Sequence, residues 1–584
     1  MNIFSFISLF GGLAMFLYGM SVMGDSLKKL SGSKLEYFLS KLTSNKFKGF
    51  LLGFVVTALI QSSSATTVML VGFVNSGIMR LSQTLATMMG ANVGTTVTAW
   101  LLSTSGISGE SFILRLLNPS SFTPLLLISG VLMSMLAKSD KNKNIATILI
   151  GFAVLMFGMQ TMSSTMSSLR DNPNFTQILV MFSNPIMGIL SGMVLTAVIQ
   201  SSSASVGILQ ALSATGVISY ATAIPIILGE NIGAAVPSML SAINGNADSK
   251  RVAAACLYIK ILGVIVVCTI FYLLNYFIRF AFMDESVNAV TIAIIHTVFN
   301  ILSTLALMPF CKQIEKLCER TIKGESAEEE FDDIDVLDDR FLSVPSFAVE
   351  KCNELTYHMA ELTEKSIIIS TQQLFNYDKS LNDRIVKMEG KVDKYEDKLG
   401  AYLVALASKN LNNSDSVQVT NLLHIIGDLE RISDHSLNIS ESANEMYSKK
   451  LVFSEDAKSE ILTLNNAVGE ILNITVNLLK NYDLELAKSV EPLEQVIDKL
   501  KLKIKDNHIQ RLRDRECTVE MGFILSDILT NYERVADHCS NIAIDVLGSA
   551  NHLFETHDYS THIKVDGEND FFEKYDYYKN KYVI

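Results

Sequence analysis

Two polar tetrads interrupt apolar stretches of this sequence, and their residue types could bind an anion and alkali cations together. Both read Gln-Ser-Ser-Ser, at residues 61–64 and 200–203, and 139 residues separate them (200 − 61). A helix broken at membrane depth leaves N–H groups that attract anions at the start of its second half. It leaves C=O groups that attract cations at the end of its first half. For either tetrad alone, packing between helices is the competing explanation.

Serine hydroxyls can donate a hydrogen bond to an anion and can also offer an oxygen to a cation. The candidate anion-binding residues are therefore Gln61, Ser62, Ser63, Ser64, Gln200, Ser201, Ser202 and Ser203. No lysine or arginine lies within residues 49–79 or 186–220 around them. A multivalent oxyanion there would need a counter-charge, since burying one uncompensated charge costs at least about 2.5–3.5 kcal/mol. Bound Na⁺ would supply it and couple the anion to the sodium gradient, although protons remain an open alternative.

Glycine–asparagine segments follow both tetrads at the same distance. Residues 90–94 read Gly-Ala-Asn-Val-Gly and residues 229–233 read Gly-Glu-Asn-Ile-Gly, so we predict a second helix break in each copy, with further oxygen ligands. Glu230 is the acidic residue of this core, and Ala91 is its counterpart. A cation ligand, a proton carrier and a buried structural acid are all open for Glu230. The candidate sodium ligands are Ser64, Asn92, Thr95, Thr96, Ser203, Glu230 and Asn231.

The 139-residue offset extends well beyond the tetrads, since Gly12, Gly19 and Gly53 recur as Gly151, Gly158 and Gly192. The first half is thus a duplicated unit, and duplicated units with interrupted polar segments are typical of secondary transporters. Apolar runs before about residue 310 reach or approach the ~20 residues that cross a bilayer. Each tetrad is predicted to lie at the tip of a re-entrant hairpin, with one long kinked helix as the alternative.

The charges around the two copies indicate opposite insertion into the membrane. Six lysines lie between positions 28 and 48, among them Lys34 and Lys41, whereas the equivalent residues 167–187 contain only Arg170. Lys138 and two further lysines precede the second copy. Because lysine and arginine bias short loops to the cytoplasm, we predict two inverted repeats, at about residues 3–137 and 145–309. The same rule places the chain after about residue 310 in the cytoplasm. We expect the first half to lie in the cell inner (plasma) membrane.

The paired tetrads, together with Gly-Ala-Asn-Val-Gly-Thr-Thr-Val-Thr at residues 90–98, resemble the sodium–phosphate cotransporter family, type II and its bacterial relatives. The resemblance covers roughly residues 1–309. It implies sodium-dependent movement of inorganic phosphate, with Na⁺ as the coupling ion and the two tetrads meeting at a central site. The second copy departs from the pattern, because Gly-Ala-Ala-Val-Pro at residues 233–237 replaces the threonines of the first.

Pairs of acids recur along the charged second half of the chain. Leu-Glu-Arg-Ile-Ser-Asp-His at residues 429–435 is echoed by Tyr-Glu-Arg-Val-Ala-Asp-His at residues 532–538, 103 residues later (533 − 430). Acids at i and i+4 share one helical face, a spacing suited to bridging metal ions, with an ordinary charged surface as the alternative. The candidate metal ligands are Glu389, Asp393, Glu430, Asp434, Glu494, Asp498, Glu533 and Asp537.

These repeats, and Leu-Asp-Asp-Arg at residues 337–340, resemble the PhoU-like phosphate-response domain over roughly residues 341–553. The resemblance implies paired three-helix bundles whose acidic faces can hold a metal cluster. Behind a phosphate carrier, such a domain would act as a cytoplasmic regulator of transport. The aromatic tail after residue 552 either packs as a final helix or stays loose.

The predicted fold is all-α. It comprises a polytopic membrane domain at residues 1–310, with two inverted repeats that contain re-entrant helical hairpins. A solvated acidic linker follows at residues 311–340, and then a cytoplasmic domain of two three-helix bundles with a C-terminal tail at residues 341–584. The expected partners are inorganic phosphate, sodium and the lipid bilayer. A net charge of −12 gives no indication of nucleic-acid binding. The sequence leaves the oligomeric state open, and a homodimer is compatible with it.

The expected function is sodium-coupled phosphate transport regulated by the second domain. Export on the same scaffold is one alternative, and a phosphate-sensing receptor without net transport is another. An enzyme is disfavoured, because the Glu-x-x-His motif of di-iron bundles does not accompany the acid pairs.

Overall fold

The computed structural model describes residues 3–31, 45–104, 119–137, 139–167, 181–324, 333–409, 411–551 and 568–584. The chain divides into two compact units, Met1–Phe347 and Ala348–Ile584. Helices form the regular structure of the described residues, in which one isolated β-bridge joins Ser219 to Ser286. Lys34, Lys41, Lys138 and Arg170, which entered the prediction of orientation, lie outside the described residues, as do residues 325–332 of the acidic stretch.

The first unit is built from helices, most of which are apolar, as the hydropathy pattern predicts. They are α1 (Ile3–Ser31), α2 (Lys46–Ile60), α3 (Ser63–Asn75), α4 (Leu81–Ser103), α5 (Pro119–Leu136), α6 (Asp140–Ser167), α7 (Pro185–Ile199), α8 (Ser202–Ser213), α9 (Tyr220–Gly233), α10 (Val236–Ser241), α11 (Ala247–Ile278), α12 (Ala289–Leu307) and α13 (Cys311–Thr321). Five segments of the described chain are long and apolar enough to cross a membrane: Phe4–Leu30, Lys141–Ser167, Tyr220–Ser241, Ala247–Ile278 and Ala289–Thr321. The prediction of an all-α polytopic membrane protein is confirmed.

The duplication is visible in the helix bounds. Helices α2 and α7 begin 139 residues apart, at Lys46 and Pro185, and they also end 139 residues apart, at Ile60 and Ile199. Helices α3 and α8 start at the same offset, at residues 63 and 202. The repeated sequence therefore specifies the same local structure twice.

Equivalent helices of the two copies pack against each other in opposite directions. A Cβ atom on Gly19 of α1 would lie 2.5 Å from the carbonyl oxygen of Gly151 of α6, and one on Gly158 would lie 2.6 Å from that of Gly12. Gly12 and Gly19 are the counterparts of Gly151 and Gly158 at the 139-residue offset. Because the lower-numbered glycine of α1 meets the higher-numbered glycine of α6, the two helices are antiparallel, and their backbones touch where glycine leaves room.

The predicted second helix break is wrong in the first copy and present in the second. Helix α4 runs without interruption through Gly90 and Gly94. These glycines admit a neighbouring backbone instead, since a Cβ on Gly90 would lie 1.9 Å from the carbonyl oxygen of Phe50 on α2. In the second copy, α9 ends at Gly233 and α10 begins at Val236 with a proline, Pro237, in its first turn. Proline lacks the N–H that would continue the helix, which accounts for the difference.

The acidic linker is not solvated along its whole length. Residues 337–347, which we call the strap, pack within the first unit. Phe341 and Phe347 are fully buried beside Phe73 of α3, with ring centroids 5.3 and 5.2 Å from the Phe73 ring. Asp338 has a side chain only 5% exposed and forms an ion pair of 2.6 Å with Arg340. The prediction of a solvated linker is therefore wrong for Asp338, because a buried charge needs partners and the strap supplies them.

The second unit is also helical and repeated. Its helices are α14 (Pro345–Gln373, which begins in the strap), α15 (Lys379–Ala407), α16 (Asn413–Lys449), α17 (Glu455–Asn481), α18 (Leu484–Ala487), α19 (Val490–Arg513), α20 (Val519–Asn551) and α21 (Glu568–Lys581). The end of the aromatic tail forms the final helix, α21, as one of the two alternatives predicted. It packs against α19, where Lys499 donates a hydrogen bond of 2.5 Å to Tyr575.

Candidate functional site

The first tetrad forms the connection between two helices. Helix α2 ends at Ile60, and Gln61 has the left-handed conformation (φ 59°) while its N–H donates to the carbonyl oxygen of Thr57. Ser62 is extended and caps α3, because its Oγ accepts a hydrogen bond of 3.2 Å from the N–H of Ala65. Such a serine cap satisfies one free N–H of the new helix and leaves others open.

The second tetrad repeats this connection. Gln200 is left-handed (φ 60°) at the end of α7, and the Oγ of Ser201 accepts a hydrogen bond of 3.3 Å from the N–H of Ala204 on α8. Each tetrad thus turns the chain with its glutamine and starts a helix with its first serine.

Each segment doubles back, which decides between the hairpin and the kinked helix. The Oγ1 of Thr57 donates a hydrogen bond of 3.0 Å to the Oγ1 of Thr66, and the equivalent pair, Thr196 and Ser205, is 2.8 Å apart. Residues nine apart on a straight helix are separated by about 13.5 Å along its axis. The two arms of each segment therefore lie side by side, and a pair of buried hydroxyls joins them.

The two hairpin tips meet. The Oγ of Ser64 lies 3.5 Å from the main-chain carbonyl oxygen of Gln200. Ser63, Ser202 and Ser203 are buried, whereas Gln200 is exposed. The structure therefore brings together the start of α3 and the end of α7.

Thr98 is a contact of the site that sequence reasoning missed. Its Oγ1 donates a hydrogen bond of 2.8 Å to the Oε1 of Gln61, whose Nε2 in turn donates to the carbonyl oxygen of Ala58. These two bonds fix the Gln61 amide. The counterpart of Thr98 at the 139-residue offset is Pro237, which has no hydroxyl. The signal was present in the motif at residues 90–98, but nothing in the sequence tied its last threonine to Gln61.

The candidate sodium ligands beyond the tips have varied environments. Thr95 and Thr96 are buried and donate to the carbonyl oxygens of Ala91 and Val93 in their own helix, and the Nδ2 of Asn231 donates to that of Ile227. Their side-chain oxygens stay available as ligands. Asn92 is half-buried. Glu230 is fully buried, and neither of its carboxylate oxygens has a hydrogen-bond partner among the described residues.

The arrangement suits an anion flanked by cations. Helices α3 and α8 both begin at the tips, and each helix start carries roughly +0.5 of an elementary charge, whereas the ends of α2 and α7 carry the opposite charge. Residues 49–79 and 186–220 contain no lysine or arginine, but other helices of the unit do. Lys260 of α11, for example, is buried in the same unit.

In the second unit, three of the eight candidate metal ligands converge. One carboxylate oxygen from each of Glu389, Asp393 and Asp434 lies within 4.8 Å of the others. Burial, followed by repulsion from Asp434, raises the pKa of Glu430 to about 6. Burial, followed by neighbouring carboxylates, also raises the pKa values of Glu389 and Asp393. Oxygen-only ligands of this kind fit a hard di- or trivalent cation.

The second acidic face is partly neutralised by the protein itself. Glu533 forms an ion pair with Lys501, so its charge has a partner that the spacing argument did not foresee. Burial, followed by repulsion from Glu533, raises the pKa values of Asp498 and Asp537. Glu494, the last candidate, lies on α19 with Asp498. The two acidic faces are thus unequal.

Known families match both units. The Na⁺/Pi-cotransporter family matches residues 15–164 and 154–291, and the PhoU domain family matches residues 356–443 and 461–546. Over 544 residues the chain is 22% identical to "Putative inorganic phosphate export protein YjbB" of Salmonella typhimurium, across 92% of this chain and 97% of that protein. Over 91 residues it is 35% identical to "Sodium-dependent phosphate transport protein 2A" of Rattus norvegicus, across 15% of this chain and 14% of that protein.

A solved structure, PhoU from Pseudomonas aeruginosa, is similar to 35% of this chain over 97% of its own length, with 19% identity and a TM-score of 0.33. The resemblance drawn from the tetrads and the acidic repeats is confirmed by the family matches. The chain joins a member of the Na⁺/Pi-cotransporter family, which is a family of phosphate transporters, to PhoU domains.

Proposed function

We propose that this protein is a sodium-coupled secondary transporter of inorganic phosphate, regulated by its PhoU domains. The observation that carries the proposal is the contact between the tips, where Ser64 approaches Gln200 and two helices begin. Phosphate would accept hydrogen bonds from the tetrad hydroxyls and from the free N–H groups of α3 and α8. The anion-binding residues are then those of the two tetrads, residues 61–64 and 200–203.

Sodium would offset the charge of the bound phosphate. Its ligands would come from Ser64 and Ser203 at the tips and from the oxygens of Asn92, Thr95, Thr96, Glu230 and Asn231. The rat relative is named a sodium-dependent phosphate transport protein, which supports Na⁺ as the coupling ion. With Na⁺ moving down its usual inward gradient, coupled phosphate would be taken up. The Salmonella relative is named "Putative inorganic phosphate export protein YjbB", which supports the alternative, export on the same scaffold.

The antiparallel packing of α1 and α6 supports inverted repeats, because equivalent helices of oppositely inserted copies run in opposite directions. Inverted copies can exchange conformations and so expose a central site to either side of the membrane in turn. We place the protein in the plasma membrane, with residues 28–48 and the PhoU domains in the cytoplasm, on the lysine distribution.

The strap supports regulation by the PhoU domains. The Nδ2 of Asn75, the last residue of α3, donates a hydrogen bond of 2.7 Å to Asp338, and its Oδ1 accepts one of 3.0 Å from the N–H of Asn246. Arg340 donates to the carbonyl oxygen of Ser241 at 2.8 Å. The segment that leads into the PhoU domains is thus bonded to the hairpin arm that begins at the first tetrad. A change in the second unit that pulls on this segment would act on that arm.

A metal cluster on the PhoU domains is a further part of the proposal. The convergence of Glu389, Asp393 and Asp434 supports it on the first acidic face. A cation there would relieve the repulsion among the carboxylates. The ion pair between Lys501 and Glu533 makes the second face the weaker of the two.

Flux measurements test the transport function. The full chain would be reconstituted in sealed liposomes, and uptake of radiolabelled phosphate would be followed under an imposed gradient of Na⁺, K⁺ or choline. We expect accumulation with Na⁺ alone. Equal uptake with K⁺ would contradict sodium coupling, and phosphate binding without flux under any gradient would favour the receptor. Reversing the sodium gradient shows whether the same carrier can export.

A further inference from the structure

A cavity of about 260 Å³ lies between α19 and α20 of the second unit. Both helices contribute apolar side chains to its wall, Ile509 and Leu512 from α19 and Leu525 and Leu529 from α20. Leu525 and Leu529 are buried, whereas Phe523, which also lines the cavity, is 70% exposed. The cavity therefore has an apolar floor and an open side, the form in which proteins take up the apolar part of a small molecule.

The polar side chains that line the cavity lie close together. They are those of Lys505, His508 and Ser526. The His508 ring lies against Gly522, because a Cβ atom on that glycine would be 2.7 Å from the Nε2 of His508. Helices α19 and α20 are joined by a short turn and run in opposite directions. Lys505 and Ser526 thus lie at the same level, each about one turn further from the connection than the contact between His508 and Gly522.

His508 offers a hydrogen-bond donor at the cavity wall. It is only 7% exposed, and burial, followed by repulsion from Arg511, lowers its pKa. The ring is therefore neutral near pH 7 and carries one N–H. The Sγ of Cys517 lies 3.6 Å from the Nδ1 of His508. With the thiol donating to Nδ1, the N–H of the ring is on Nε2, the atom that lies beside Gly522.

Lys505 is the charged residue of the lining. The two lysines before it in α19 have partners: Lys501 forms an ion pair with Glu533, and Lys503 donates to the carbonyl oxygen of Ile584. Lys505 has no ion pair or hydrogen-bond partner for its ammonium group among the residues that the structure describes. The ammonium group is thus available to an anion in the cavity.

We propose that this cavity binds a free medium-chain carboxylate, with its alkyl chain on the leucines and its carboxylate on Lys505 and His508. One water occupies about 30 Å³ of the liquid and a methylene group is of similar size, so the cavity holds a chain of about eight carbons. One ammonium group balances one negative charge, which favours a carboxylate over a doubly charged phosphate ester. The inference concerns the second unit alone and does not depend on the proposed transport function.

Hydrogen–deuterium exchange of the detergent-solubilised full chain tests the site, with octanoate as the probe. We expect octanoate to slow exchange between residues 505 and 529 and not elsewhere in the second unit. A series of carboxylates from butanoate to dodecanoate measures the fit. Each added methylene should tighten binding about fourfold, and the gain should end at about eight carbons. Octylamine, which has a similar chain and the opposite charge, should not protect this segment.

Substitution of Lys505 tests the charged contact. Lys505→Gln should weaken the binding of octanoate about 10–100-fold and leave the binding of 1-octanol unchanged, because the alcohol has no charge. The control is Lys503→Gln, which removes the same charge from the same helix. Residues two positions apart on a helix point in directions about 200° apart, so this variant should bind octanoate as the wild type does. Both lysines are exposed, so both variants should fold.

The proposal would be overturned if octanoate gave no protection between residues 505 and 529 below its micelle-forming concentration. Equal protection by octylamine would overturn it too, as would a Lys505→Gln variant that binds octanoate like the wild type. Protection by phosphatidylglycerol vesicles but not by octanoate would assign this surface to the membrane instead. The liposome flux assay remains separate, because the absence of phosphate flux would reject the transport function and leave this binding site in place.

Discussion

The Oγ of Ser64 lies 3.5 Å from the carbonyl oxygen of Gln200, although 136 residues separate them in the chain. This approach joins the N-terminal end of α3 to the C-terminal end of α7, so that opposite helix ends share one location. An anion and a cation can both find complementary charge there. Under the proposed function, the contact accounts for the occurrence of the tetrad in both copies, since each copy would supply half of the surroundings of a bound ion.

Removing the capping hydroxyls should impair transport more than folding. In Ser62→Ala or Ser201→Ala, the helix loses a cap of about 1 kcal/mol, which a unit of this size should tolerate. The bound anion would lose a hydrogen bond to a charged group, about 1.5–3 kcal/mol. That loss corresponds to about 10–100-fold in affinity. The measurement is the phosphate concentration for half-maximal uptake in liposomes.

The matched control for these substitutions is Ser213→Ala, at the far end of α8, where the hydroxyl bonds only the carbonyl oxygen of Gln210. It should behave as the wild type does. If all three variants transport phosphate normally, the tetrads serve packing and the site lies elsewhere.

Removing the Thr98 hydroxyl should affect ion binding through Gln61, because Thr98 donates a hydrogen bond to the Gln61 side chain. Thr98→Val keeps the shape of the side chain but removes the hydrogen bond to Gln61, which is worth about 0.5–1.5 kcal/mol. We expect phosphate or sodium affinity to fall by up to about tenfold. A double-mutant cycle with Gln61→Ala measures the coupling, and Thr98→Val should add nothing once Gln61 is gone.

Thr84→Val is the control for this cycle, because Thr84 lies on the same helix and bonds only the carbonyl oxygen of Leu81. Additive effects of Thr98→Val and Gln61→Ala would show that the hydrogen bond does not orient the amide during binding.

The duplication and the helix connections were predictable from the sequence because they are local. A glutamine–serine tetrad inside an apolar run indicates a break in the helix, and the constant offset of 139 residues identified the second copy. The role of the glycines was not predictable in the same way. Gly90 looked like a helix break, but it lies opposite the carbonyl oxygen of Phe50, and a break and a close approach both call for a residue without a side chain.

Tertiary partners account for what the sequence could not show. Thr98 reaches Gln61 across 37 residues, and Asp338 reaches Asn75 across 263. No local pattern marks either pair. The charge run around Asp338 looked solvated because acidic runs usually are, whereas the fold buries this one member with an arginine.

Removing the hydrogen bond between the strap and Asn75 should make the end of the first hairpin arm more mobile. Asp338→Ala removes the acceptor for Asn75 and the carboxylate partner of Arg340. Hydrogen bonds to charged groups contribute about 1.5–3 kcal/mol, so amide exchange at the C-terminal end of α3 should accelerate by about 10–100-fold if these bonds limit opening. We expect phosphate flux to rise, because the arm would no longer be held.

The control for the strap is Lys351→Ala, which breaks an ion pair with Glu354 on α14 in the second unit. It should change neither amide exchange in α3 nor flux. Unchanged exchange in Asp338→Ala would mean that the strap is bonded to the hairpin without restraining it.

The acidic face around Glu430 should make the second unit less stable as pH rises in the absence of metal. The pKa of Glu430 is raised to about 6, by burial first and by Asp434 second, so the folded state holds this proton more tightly than the unfolded state. Its contribution to the free energy of unfolding is therefore fully present below the ordinary pKa near 4.5 and is lost as pH rises through about 6. Glu430→Gln should stabilise the metal-free protein at pH 7.5 by about 1 kcal/mol after solvent screening, and hardly at all at pH 4.5.

Thermal unfolding of the full chain in chelator measures this difference, with Glu441→Gln, an exposed acid on the same helix, as the control that should show none. Adding Mn²⁺ or Fe³⁺ should raise the unfolding midpoint of the wild type at pH 7.5 and should do less in Asp434→Asn, which lacks one converging carboxylate. The cation favours the ionised acids, so its effect should fade toward pH 4.5 as the carboxylates take up protons. Equal stabilisation of both proteins by metal would mean that the carboxylates converge without forming a metal site.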